Sequence, residues 1–178
     1  MKFSENRKIF IRRALLLVLL VFTAVFQHTD GAIPPLFGTK AMLLVPLTVA
    51  IAVHERSITG LVCGTLAGIL WDCATVRGDG FFSVYLAVIG FLAGCLVTHL
   101  MRNNIFTDLI ISLFSISAVN VTYWLVFIHL KGYEGSVQVL FSYYLPSVLY
   151  TMVFAFVYYY IVGLIHKATV PKQKIREL

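Results

Sequence analysis

Apolar runs follow one another along this chain with little between them. They fall at about residues 9–27, 41–53, 57–71, 81–101, 105–128 and 143–165, parted by short segments rich in glycine, proline or charge. A helical pass through a hydrocarbon core of about 30 Å takes about 20 residues. A chain of 178 residues therefore has room for about six passes and for no extramembrane domain. Composition agrees: 60% of residues are hydrophobic and 12% charged, against roughly 45–50% and about 25% in a soluble domain. A soluble enzyme, a disordered chain and a nucleic-acid-binding protein are excluded. The expected fold is all-α, a polytopic six-transmembrane-helix bundle over residues 1–166, followed by a basic cytoplasmic tail at 167–178.

The net charge of +6 then reads as topology. With the N-terminus inside, 11 of the 14 basic residues fall on the cytoplasmic side, and only Lys40, Arg77 and Lys131 lie outside. The acids divide evenly. The positive-inside rule places both termini in the cytoplasm, which requires an even number of passes. The basic head and the apolar run that follows it have the outline of a signal peptide, but QHTDGA after Phe26 offers no small-residue cleavage pattern. An uncleaved first helix is expected, with Arg12 and Arg13 snorkelling at its cytoplasmic end.

The runs at 41–53 and 57–71 are short for a full pass. Two short spans buried among longer ones are favoured over a re-entrant hairpin, because a re-entrant tip at His54-Glu55-Arg56 would leave charges at membrane depth.

Small residues recur at a spacing of four. Gly60, Gly64 and Gly68 share one face of the third helix, and Gly90 and Gly94 follow Ser83 and Ala87 on the fourth. Ser147, Thr151 and Ala155 repeat the device on the sixth. Such stripes let helix backbones approach closely in lipid, and they predict packing inside the bundle, with a partner interface as the alternative. On the fifth helix Asp108, Ser112, Ser115 and Thr122 fall on one face, with Ser117 and Asn120 roughly opposite. Asp108 there complements the helix N-terminal dipole, and Asn120 needs a partner from a neighbouring helix. Asp72 stands at the C-terminal end of the third helix, where the dipole disfavours an anion. It is either a cap or turn for the following segment, with Arg77 as a possible ion partner, or a polar anchor for a protein contact. Asp79 is placed to cap the fourth helix.

No catalytic constellation is present in the sequence. His54-Glu55 lacks the second histidine of HExxH, and no GxSxG, P-loop or GxGxxG occurs. Neither an enzymatic activity nor a metal or cofactor is expected. Cys63, Cys73 and Cys95 form no CxxC pair and read as inert thiols. The histidines form no cluster along the sequence, and the tyrosines of the sixth helix read as interfacial anchors.

The stretch Gly60-x-x-x-Gly64-x-x-x-Gly68-Ile-Leu-Trp-Asp72, a short loop to Gly80, and Gly90-Phe-Leu-Ala-Gly94 resembles the core of the MreD family of rod shape-determining membrane proteins. The basic N-terminus, the length and the Pro/Phe/Gly loop before the second helix are also similar to that family. The resemblance implies a non-enzymatic component of the bacterial cell-elongation and peptidoglycan-synthesis machinery in the cytoplasmic membrane. It implies association with the bitopic protein MreC, and action with the actin-like MreB, the polymerase RodA and a penicillin-binding transpeptidase. It also implies a fold similar to the six-helix substrate-binding subunits of energy-coupling-factor vitamin transporters. That similarity supplies the rival function, small-molecule binding in a transporter. The rival needs a pocket of convergent polar groups open to the outside, for which the sequence offers little beyond Asp72, Arg77 and Glu134. Such subunits also dock through small residues on the first helix, where this chain has LLLVLLVF.

Overall fold

A computed structural model describes residues 2–29, 31, 34, 39–75, 80–100, 103–130 and 136–169, without the side chains of 2–6, 136 and 137. The described residues form seven α-helices: α1 (Lys2–His28), α2 (Leu44–Glu55), α3 (Ser57–Ala74), α4 (Phe81–His99), α5 (Ile105–Trp124), α6 (Ser136–Val139) and α7 (Leu145–Thr169). π-helical turns at Leu125–His129 and Leu140–Tyr144 extend α5 and join α6 to α7. Five rods are long and apolar enough to cross a membrane, and α2 is the shorter sixth. The chain is thus a multi-pass, all-helical membrane protein.

Helix starts differ from the sequence expectation at three places, the first being α1, which begins at Lys2 instead of near 9. The second helix starts at Leu44 instead of near 41, and the last rod starts at Ser136 instead of near 143. Much of the expected 129–142 loop is therefore helical. Its polar Ser-Val-Gln start concealed it, because hydropathy marks the lipid-facing part of a rod and not its ends.

The centre of the bundle is α2. Every residue from Leu44 to Val53 is buried, so this helix carries no polar face at all. At about 1.5 Å per residue its 12 residues cover only about 18 Å. The backbone of the residues before it is satisfied by side chains from the surrounding helices. Ser147 Oγ donates to the Lys40 carbonyl at 3.0 Å, Met42 N–H donates to Thr151 Oγ1 at 3.1 Å, and Leu44 N–H donates to Gln27 Oε1 at 3.0 Å. Non-helical backbone inside a membrane protein is tolerated where protein groups replace water in this way. The Ser147–Thr151 stripe of α7 serves that end, and Ala155, fully buried, continues it.

Only Arg56 separates α2 from α3, at φ 75° and ψ 174°. Helix α1 lays Leu16, Leu20 and Ala24 into the core. Its Arg12 meets Glu55, the last residue of α2, which also meets His166 near the end of α7, so the N-terminal part of α1 and the end of α7 share one face of the bundle.

Candidate functional site

The stretch singled out by its glycines is one antiparallel hairpin, and α3 and α4 pack more closely than any other pair. A methyl group added at Gly60 would collide with the Gly90 carbonyl, and one at Gly90 with the Gly60 carbonyl. The same holds at Gly64 against the Leu86 carbonyl, at Gly68 against Phe82 and Ser83 backbone, and at Gly94 against the backbone of Ser57. Each obstacle is main chain, which cannot swing aside. The glycine stripes are thus filled by the chain's own helices, as the packing reading of the sequence expects. Helix α2 closes the third side, with Thr48 Cγ2 at 3.1 Å from a Cβ built on Gly64 and 3.2 Å from one on Gly90.

Asp72 lies at the end of this hairpin and is 8% exposed. Its carboxylate accepts from Phe82 N–H at 3.2 Å, Ser83 N–H at 2.8 Å and, in a short bond, the Ser83 hydroxyl. Phe82 and Ser83 are in the first turn of α4, whose N-cap position, Gly80, makes no side-chain cap bond. Asp72 therefore caps the neighbouring helix. The unfavourable dipole at the end of α3 is offset by the favourable one at the start of α4. The capping alternative accounts for this residue. Trp71 stacks on Phe82 at 4.2 Å and 8° beside it, and Phe82 stacks in turn on Tyr123 at 5.8 Å, so the capped turn is covered by aromatic rings. Arg77, Asp79 and Glu134 lie outside the described residues, as does the tail beyond Thr169.

At the opposite end the fold builds a cluster that sequence spacing does not reveal. Glu55, its side chain 5% exposed, receives Arg12 Nη2 at 3.0 Å and His166 Nδ1 at 2.8 Å, one on each carboxylate oxygen. The His54 ring lies 6.0 Å from His166 and 4.9 Å from Tyr159, and its Nδ1–H donates to the Ala50 carbonyl at 2.9 Å. The expectation that the histidines form no cluster is corrected here, because 111 residues separate His166 from Glu55. One carboxylate ties α1, α2 and α7 together.

The polar face of α5 also differs from its expected phase. Asn120 turns inward with Asp108 and Ser112, all three at 1% exposure or less. Both oxygens of Asp108, Ser112 Oγ and both polar atoms of Asn120 have no hydrogen-bond partner among the described residues. The partner expected for Asn120 is absent there. Thr122 does reach across, its Oγ1 3.0 Å from the Tyr85 hydroxyl on α4. Of the tyrosines read as interfacial, Tyr144 and Tyr158 are core residues, and Tyr158 donates to Thr23 Oγ1 at 3.3 Å. Cys63 is buried, Cys73 exposed and Cys95 intermediate, and all three are free thiols. Among the described residues no three His, Cys, Asp or Glu side chains are placed to hold a metal ion.

Comparison with family models, curated proteins and solved structures finds no match. The site consists of a hairpin joined at backbone level and capped at one end by Asp72, with a charged knot at the other end of the bundle.

Proposed function

We propose that this chain is a non-enzymatic scaffold of the bacterial cell-elongation machinery, a relative of the MreD proteins held in the cytoplasmic membrane with both termini inside. In this reading it positions an MreC-like bitopic partner beside the wall-synthesis enzymes. The observation that carries the reading is that the residues bearing the resemblance, Gly60 to Gly94, all belong to one rigid unit. Their glycines bring two helix backbones into contact, and Asp72 ties the end of α3 to the first turn of α4. Little space remains between α3 and α4 for a substrate. Their outer faces present Ile58, Leu61, Val62, Ile69, Val84, Val88 and Leu92, each more than a third exposed, to lipid or to another helix. A stiff post with an apolar exterior suits a role in holding other membrane proteins in register.

The test is affinity capture from gently solubilised membranes, identifying the proteins that travel with the tagged chain. Recovery of an MreC-like protein and the elongation enzymes is the expected outcome. Recovery of an ATPase module with its coupling subunit instead would replace this reading with the vitamin-binding one.

A further inference from the structure

Among the described residues, lateral grooves open between α4 and α5 and between α1 and α3. The larger, about 560 Å³, runs between α4 and α5, and its lining, which includes Val88, Leu92, Ile110 and Phe114, contains no charged residue. The smaller, about 290 Å³, runs between α1 and α3 and is lined by Leu17, Ile58, Thr59, Val62 and Leu66, with Arg13 at one end. The difference in charge is the informative feature.

Arg13 directly precedes the apolar run of α1, which sets its guanidinium at the border between headgroups and acyl chains. It makes no ion pair with a described residue, whereas its neighbour Arg12 is engaged by Glu55. Among the described side chains next to the groove, Arg56, two residues before Ile58, adds positive charge, and the nearby carboxylate of Glu55 is already doubly paired. Below that basic end and Thr59 the walls are aliphatic apart from the Cys63 thiol, over about two helical turns of α3 to Leu66. A cation at headgroup level above an apolar slot is complementary to one kind of occupant that a membrane supplies. Basic pockets between transmembrane helices bind acidic headgroups on this principle.

We propose that the α1–α3 groove is a binding site for an anionic phospholipid, its phosphate at Arg13 beside the Thr59 hydroxyl and an acyl chain along Leu17, Val62 and Leu66. The site requires only that α1 and α3 span the bilayer and does not depend on the role in cell elongation. The α4–α5 groove, lacking a cation, holds acyl chains without regard to headgroup.

Native mass spectrometry of the full chain in mild detergent tests this, with phosphatidylglycerol and phosphatidylcholine of matched acyl chains supplied together. The wild type retains one phosphatidylglycerol in preference to phosphatidylcholine. Arg13→Gln weakens that binding about fivefold, the effect of one basic residue at a membrane surface, and abolishes the preference. Arg7→Gln, an exposed position on α1 outside the groove, leaves both unchanged. Val62→Trp alters no charge at a side chain 51% exposed, so folding is not at stake, and it displaces the lipid by filling the slot. Equal loss from Arg7→Gln and Arg13→Gln would overturn the proposal in favour of diffuse attraction. Retention of the lipid in Val62→Trp would overturn it as well. A dimer that Val62→Trp converts to monomer, with lipid binding intact, would assign the groove to a second copy of the chain.

Discussion

Asp72 shows how a residue that looks misplaced in sequence is settled by one contact. Its own helix disfavours it, and the first turn of α4 supplies two N–H donors and a hydroxyl. Removing a capping carboxylate costs about 1–2 kcal/mol. Asp72→Ala is expected to lose about that much stability in detergent, and Asp72→Asn, which keeps an acceptor, less; the melting temperatures of the two variants check the order. Arg56 is the converse case. It holds φ 75° and ψ 174° because one residue must turn the chain from α2 into α3, a conformation that glycine alone adopts without strain. Arg56→Gly is expected to stabilise the protein by about 1 kcal/mol, measured as a higher melting temperature. A capping role for Asp72 was legible in sequence as one of two alternatives, though for the segment after α3, with the cap of α4 assigned to Asp79. The Glu55–His166 contact was not, since no local pattern links residues so far apart. The phase of α5 was misread for a related reason: both sides of that helix carry polar residues, and only its neighbours decide that Asn120 faces inward.

Helix positions were largely legible, because lipid demands long apolar runs and breakers mark their ends. The glycines four apart marked α3 and α4 as close-packing helices, with a partner interface as the alternative, but did not say that the two pack on each other. Sequence placed α2 among longer spans, but could not show that every residue from Leu44 to Val53 is buried or that α6 and its π-turn extend the last rod. Both depend on what surrounds the segment. The hairpin gives a direct prediction. Gly64→Leu drives a branched side chain into the Leu86 carbonyl, whereas Leu61 on the same helix is 39% exposed and Leu61→Ile meets lipid. The first variant is expected to melt far below the second in detergent, by an amount equivalent to about 3 kcal/mol or more, since overpacking against fixed backbone has no cheap relaxation. Equal melting temperatures would mean that α3 and α4 do not touch at backbone level.

At the scale of the whole molecule, Glu55 gathers α1, α2 and α7 at one end while Asp72 and its aromatic cover join the end of α3 to the start of α4 at the other. The start of α1 and the end of α7 on one face fit an even number of crossings, and the basic asymmetry is the ground for proposing that this face is cytoplasmic. Reporter fusions at Gly78 and at Arg102 should accordingly report opposite sides, with the site at 102 cytoplasmic; the same side for both would remove α4 as a span. The proposed role in cell elongation is tested most directly by the shape of living cells. Depleting the protein from its native host should turn rods into spheres, with shape restored by the wild-type chain and not by Gly64→Leu. Cells that stay rod-shaped on depletion and instead lose uptake of a vitamin would contradict the account.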